Sequence, residues 1–171
     1  ELVKLLKSHS IDKPTEIQEH VIKEITAGHD VIAESETGSG KTLGFALPLI
    51  DKLNHDGILR CIVLAPTREL AKQIAVEFSK FGKFKGLKVL TVYGGTSINN
   101  QIKNLVNTDI VIGTPGRVLD LIWRGNLILS NIKYAVLDEA DRMLDMGFIE
   151  DMRKILSKLP RERQTLMFSA T

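Results

Sequence analysis

Apolar residues in this chain gather into short, nearly continuous runs instead of alternating with polar ones. They fall at "DVIAE" (30–34), "RCIVLA" (60–65), "KVLTVY" (88–93), "DIVIG" (109–113), "YAVLD" (134–138) and "QTLMFS" (164–169). Brief stretches of Val, Ile and Leu without a polar face suit strands covered by helices on both sides. Between them lie helix-period segments at 41–53, 67–81, 98–107, 116–124 and 148–159, and two more, 1–9 and 15–26, precede the first run. This strand–helix alternation predicts an α/β fold: a doubly wound, mostly parallel sheet with helices on both faces. No repeat, low-complexity tract or linker interrupts it, so residues 1–171 are expected to form one domain. Ligands of such sheets sit beyond the carboxyl ends of the strands, which makes the residues after each run the ones to read for chemistry.

Composition narrows the field. The 171 residues are 43% apolar and 26% charged, with a net charge of +2, so no strong general field for nucleic acid or membranes is present. His9, His20, His29 and His55 are dispersed, without metal-site pairing. The single cysteine, Cys61, lies inside an apolar run and reads as core; one cysteine allows no internal disulfide and fits a reducing compartment, cytoplasmic or nuclear. No apolar run approaches the ~20 residues of a membrane span, and "ELVKLLKSHSI" does not read as a signal peptide. Lys80, Lys83, Lys85 and Lys88 read as a solvated face. Nothing indicates an obligate oligomer.

Each strand end carries something unusual. After the first run comes "SETGSGKT", Ser35, Glu36, Thr37, Gly38, Ser39, Gly40, Lys41 and Thr42. Glycines let backbone amides curl around phosphate oxygens, a lysine reaches the outer phosphates, and a hydroxyl serves Mg²⁺. The following helix offers its positive N-terminus to the same anion. The usual spacing would place a glycine at position 35, where serine stands. After the fifth run, Asp138, Glu139 and Asp141 close a buried strand, and carboxylates there are costly unless a positive group faces them. Lys41 and a nucleotide-bound Mg²⁺ on the same sheet rim would be those charges. Asp138 would then hold the metal and Glu139 would orient or deprotonate a water. Arg68 in "APTREL" and Arg117 in "TPGR" each stand in the first turn of a helix, where the dipole disfavours a cation. They make sense there if an external anion converges on helix amides and guanidinium together, although ordinary helix starts are the alternative. The "YGGTS" turn at 93–97 would let a backbone approach closely.

These strings, taken in order, resemble the first RecA-like domain of a DEAD-box ATP-dependent RNA helicase along essentially the whole chain. "PTEIQ" (14–18) is similar to the Q motif, "SETGSGKT" to the phosphate loop, and "PTRELA" (66–71), "GG" (94–95) and "TPGR" (114–117) to the RNA-contacting motifs. "DEAD" (138–141) and "SAT" (169–171) complete the set. The resemblance implies a RecA-like P-loop NTPase domain that uses ATP and Mg²⁺ and binds RNA through its backbone, without sequence preference. It implies adenine contact by Gln18, phosphate contact by Lys41, metal ligation by Thr42 and Asp138, and a water served by Glu139. Asp141 would pair with Ser169 or Thr171 to couple hydrolysis to unwinding. Pro66, Thr67, Arg68, Gly95, Thr114, Pro115, Gly116 and Arg117 would meet the RNA sugar-phosphate backbone. The last strand, 164–169, would lie between the phosphate-loop strand and the "DEAD" strand.

Ser10 and Ile11 depart from the Gly-aromatic opening of the Q motif, and the stacking aromatic usual farther upstream is not among these residues. The family's second RecA-like domain is likewise outside them and is expected as a partner in the same parent chain. Without it this half would bind ATP and be nearly inactive. Read from residues alone, "TEIQ" is a capping box, with Thr15 as N-cap and Gln18 reaching back; the resemblance makes Gln18 the adenine contact instead. Two rival functions are a DNA translocase on the same fold and a non-hydrolysing RNA-binding module.

Overall fold

A computed structural model describes residues 1–171 in full. Two helices, α1 (Leu2–Ser8) and α2 (Glu16–Thr26), precede β1 (Val31–Glu34). Then follow α3 (Lys41–Lys52), β2 (Cys61–Leu64), α4 (Arg68–Gly82), β3 (Val89–Val92), α5 (Ile98–Asn104) and β4 (Ile110–Gly113). The chain continues through α6 (Pro115–Trp123), β5 (Tyr134–Leu137), α7 (Ala140–Asp145) and α8 (Ile149–Lys158) to β6 (Gln164–Ser169). The strands form one six-stranded sheet in the order β1-β6-β5-β2-β4-β3, and every pairing is parallel. The last strand does lie between β1 and β5.

Successive strand residues serve opposite faces, as a period of two requires. Cys61 and Val63 of β2 join a core with α2, α3 and α4, whereas Ile62 and Leu64 join a second core with α6, α7 and α8. The continuous apolar runs therefore reflect two cores, one on each face. β1 is the exception. It sits at the sheet edge, with Val31 and Ala33 against the first core and Ile32 84% exposed.

Three expectations need adjusting. The helix expected over 98–107 stops at Asn104, because Asn107 turns into the left-handed region at φ 60°. The short helix α7, which the acids of "DEAD" concealed, separates β5 from α8. Lys85 is no member of a solvated face: its Nζ donates to Ile50 O at 3.0 Å and Asp51 O at 2.7 Å, neutralising the C-terminal carbonyls of α3.

Asp109 ties the rim opposite the strand carboxyl ends. Fully buried, it accepts from His55 Nδ1 at 2.7 Å, Gly57 N at 3.2 Å and Lys88 N at 2.8 Å. Asparagine has one acceptor oxygen and would turn an amide against another donor. Asp109→Asn is expected to lower stability by about 1–3 kcal/mol; urea denaturation followed by circular dichroism checks it.

Candidate functional site

The carboxyl end of β1 leads into residues 35–40, and the loop is fastened at both ends. Ser35 N donates to Ser169 O of β6 at 2.9 Å, and Ser39 Oγ donates to Ser35 Oγ at 3.1 Å, so the serine in the glycine's place braces the loop. Gly38 and Gly40 take φ of +81° and +88°, where side chains are strained, and a Cβ on Gly40 would lie 2.5 Å from Gln18 Nε2. α3 starts from that left-handed Gly40 with no side-chain cap, leaving its first amides facing the loop.

Gln18 settles one open choice by making the cap. Its backbone N–H donates to Thr15 Oγ1 at 3.3 Å and its Oε1 accepts from Thr15 N at 2.9 Å. Its Nε2 also donates to Gly40 O at 3.0 Å, while Thr15 Oγ1 donates to Ser39 O at 3.1 Å. The N-terminus of α2 thus clamps the phosphate loop. One amide proton and one lone pair of Gln18 are left without a partner.

Beneath the loop, Lys41 Nζ lies 3.4 Å from Asp138 Oδ1, with the two side chains 6% and 0% exposed. Burial drives the Asp138 carboxyl above the usual carboxylate range, against the pull of Lys41 and with added repulsion from Glu139. Lys41 Nζ and Asp138 Oδ2 are two of the three buried side-chain polar atoms that lack a hydrogen-bond partner. Orphaned polar atoms of this kind are costly and point to a missing partner. Both border a cavity of about 480 Å³, walled by Gly38, Gly40, Thr42 and Glu139 and, on its other side, by Gln73 and Glu77 of α4. Neither α4 residue was singled out in the sequence, where both read as ordinary polar positions of an amphipathic helix.

Glu139 has φ and ψ of 51°, a left-handed conformation rare for a residue with a side chain. The turn places its carboxylate beside the cavity, where Oε2 accepts from Arg142 Nη1 at 3.3 Å. Asp141 accepts from Thr171 Oγ1 at 3.1 Å and Ala170 N at 3.3 Å, so the "DEAD" and "SAT" segments do meet. Desolvation would raise the Asp141 carboxyl, but bonds from the Arg142 amide, the Thr171 hydroxyl and the Ala170 amide outweigh it and hold it below the usual value. Ser169 Oγ donates to Thr171 O.

The arginine-bearing strand ends are neighbours, because β2 and β4 pair and β3 follows β4 at the edge. Thr67 caps α4 by accepting from Leu70 N at 3.2 Å, whereas Thr114 makes no side-chain cap. Pro66 and Pro115 are buried; Arg68, Gly95 and Gly116 are exposed. A Cβ on Gly94, Gly95 or Gly116 would meet nothing within 4 Å, so a backbone can approach all three. Gly113 is a different case: a Cβ there would lie 2.5 Å from Val92 Cγ2, so packing requires it.

A model of the DEAD/DEAH box helicase family matches residues 15–171. RNA helicase CrhR of Synechocystis is 50% identical over 168 residues, covering 98% of this chain and 34% of that protein. The DEAD-box ATP-dependent RNA helicase CshA of Bacillus cereus is 48% identical, covering 99% of this chain and 33% of its own length. The crystal structure of a DEAD box protein from Methanococcus jannaschii superposes with a TM-score of 0.96 at 47% identity, over 98% of this chain and 47% of that one. The chain thus spans from a third to about half the length of these relatives.

Proposed function

The chain belongs to the DEAD/DEAH box helicase family, and on that premise we propose that it is the ATP-binding half of an ATP-dependent RNA helicase. One observation carries the reading: a buried Lys41–Asp138 pair with orphaned polar atoms, set under a glycine loop and against a cavity. Polyphosphate is the anion that completes Lys41 and the α3 amides.

Thr42 and Asp138 would hold Mg²⁺. No cluster of three metal-type side chains exists in the chain, and Mg²⁺ at nucleotide sites usually takes one or two carboxylates plus phosphate oxygens. Such an ion, when bound, supplies charge neutralisation at the phosphates. Gln18 contacts adenine, and Lys41 holds phosphate. Glu139, held by its turn and by Arg142, orients and deprotonates the attacking water. Asp141 with Thr171 connects that site to the "SAT" segment. Thr67, Arg68, Gly95, Thr114, Gly116 and Arg117 contact RNA backbone; buried Pro66 and Pro115 shape the turns that present them. A second RecA-like domain in the full-length protein supplies the remaining RNA grip and arginines. A single, fully buried thiol suits a cytoplasmic or nuclear setting, and no helix is long and apolar enough to cross a membrane.

ATP turnover by the full-length protein with single-stranded RNA, with DNA of the same sequence and without nucleic acid tests the reading. Stimulation by RNA alone is expected; equal stimulation by DNA would favour a translocase. For Gln18 two effects are now expected together. Gln18→Ala lowers stability by about 1 kcal/mol through the lost cap and removes a roughly 5- to 150-fold preference for ATP over GTP. A destabilised variant that keeps its preference would confine Gln18 to clamping the loop.

A further inference from the structure

The turn between β3 and α5 is held from inside. Gln101 is 7% exposed, and its amide is engaged on both sides. Nε2 donates to Tyr93 O at 3.1 Å and Thr96 Oγ1 at 2.8 Å, and Oε1 accepts from Arg117 Nη1 at 2.9 Å. Arg117 also reaches Thr96 O from Nη1 and Nη2, each at 3.3 Å. These bonds occupy three of the guanidinium's five N–H donors, leaving two for an outside acceptor. The ring of Tyr93 meanwhile lies under the Arg68 guanidinium at 4.7 Å and the Lys72 ammonium at 5.4 Å. A single chain of contacts, Arg68–Tyr93–Gln101–Arg117, therefore links the two helix starts across the edge of the sheet.

We propose that Gln101 is a positioning residue for nucleic-acid binding, holding the Arg117 guanidinium against the Gly94–Gly95 turn as a preformed seat for a phosphate of single-stranded RNA. This rests on the reading that Arg117 meets RNA backbone. A free arginine surrenders side-chain entropy when a ligand fixes it, and fixing it beforehand removes that cost from binding. Gln101 is suited to the task because it is neutral: it anchors the guanidinium and leaves the positive charge for the phosphate. A glutamate could also accept from the guanidinium, but it would cancel the charge and lose the donor that holds Tyr93 O.

Anisotropy of a short fluorescent oligouridine titrated with this chain over a salt series tests the proposal. Gln101→Leu should weaken binding about tenfold, the size of one charge-assisted contact, and should add little in an Arg117→Ala background. Gln101→Glu keeps an acceptor for Arg117 but cancels its charge and gives up the donor to Tyr93 O, so it should reduce the slope of log K against log salt by about 0.7, one phosphate contact on a single strand. Binding of a fluorescent ATP analogue should be unchanged in each variant. Additive losses in the double variant, or a wild-type slope in Gln101→Glu, would make Gln101 a purely structural bond. If Arg117→Ala itself alters neither affinity nor slope, Arg117 is not an RNA contact and the proposal falls with that reading. Should Gln101→Leu fail to fold, the Gln101→Glu slope decides alone.

Discussion

Lys41→Ala is expected to lower ATP affinity by on the order of 100-fold and, separately, to make the fold more sensitive to pH. The affinity loss follows from removing a charged donor from the phosphates, worth about 3 kcal/mol at a buried position. The second effect comes from Asp138. Its carboxyl is raised on folding, so it contributes most to stability below the unfolded value of about 3.9, and that contribution fades as pH climbs through the folded value. Lys41 is the main influence opposing that rise. Without it the carboxyl moves higher and the loss of stability reaches to higher pH. Breaking a buried pair typically costs about 3–5 kcal/mol, but Asp138 can escape part of this by taking up a proton. The variant's melting temperature should approach wild type near pH 4 and fall clearly below it near pH 7. Calorimetry across that range, with ATP titrations, checks both effects. A constant gap in melting temperature would show that Lys41 does not govern Asp138.

Glu139→Gln in the full-length protein is expected to cut ATP turnover by about 10²–10⁴-fold, the usual worth of a general base, with ATP affinity little changed. Glutamine keeps the size of the side chain and its access to Arg142 but cannot take a proton. The same position stores strain, since a left-handed non-glycine residue costs roughly 1–2 kcal/mol. Glu139→Gly should therefore melt at a higher temperature than wild type and be equally inactive. An inactive glycine variant without that gain would mean the turn is relaxed as it stands. Single-turnover hydrolysis and melting curves on the two variants separate chemistry from backbone.

Each of the six runs became a strand; the inner ones were legible because burial on two faces writes a continuous apolar run, and β1 was legible by its apolar residues despite one exposed face. The phosphate loop and the acids were legible because their residue types are expensive anywhere else. What stayed hidden was partnership. Gln101 looks like any polar residue of a short helix, and only the fold brings it to Arg117. Asp109 read as the opening of a strand, yet it fastens His55, a residue 54 positions earlier. Gln18 presented two exclusive roles on paper; in three dimensions one amide caps a helix and grips Gly40 with its other end. α7 was missed because its six residues are too few for helical periodicity to stand out when three of them are charged.

The place of β6 has a consequence for the order of assembly. β1 pairs only with β6, joining Val31 to Leu166 and Glu34 to Ser169, more than a hundred residues apart in sequence. Contacts so distant slow folding, because the intervening chain must be ordered before they are rewarded. On the ribosome, β2, β3, β4 and β5 can pair with one another while β1 waits with its apolar side chains unmatched. Until the final strand emerges, the inner edge of β5 stays open to any passing strand, a recognised hazard for aggregation. The brace from Ser169 to Ser35 forms in that same step. A nascent chain therefore fastens its 35–40 loop only when the sheet has closed, and a ribosome paused before residue 164 would hold that loop without its brace at Ser35.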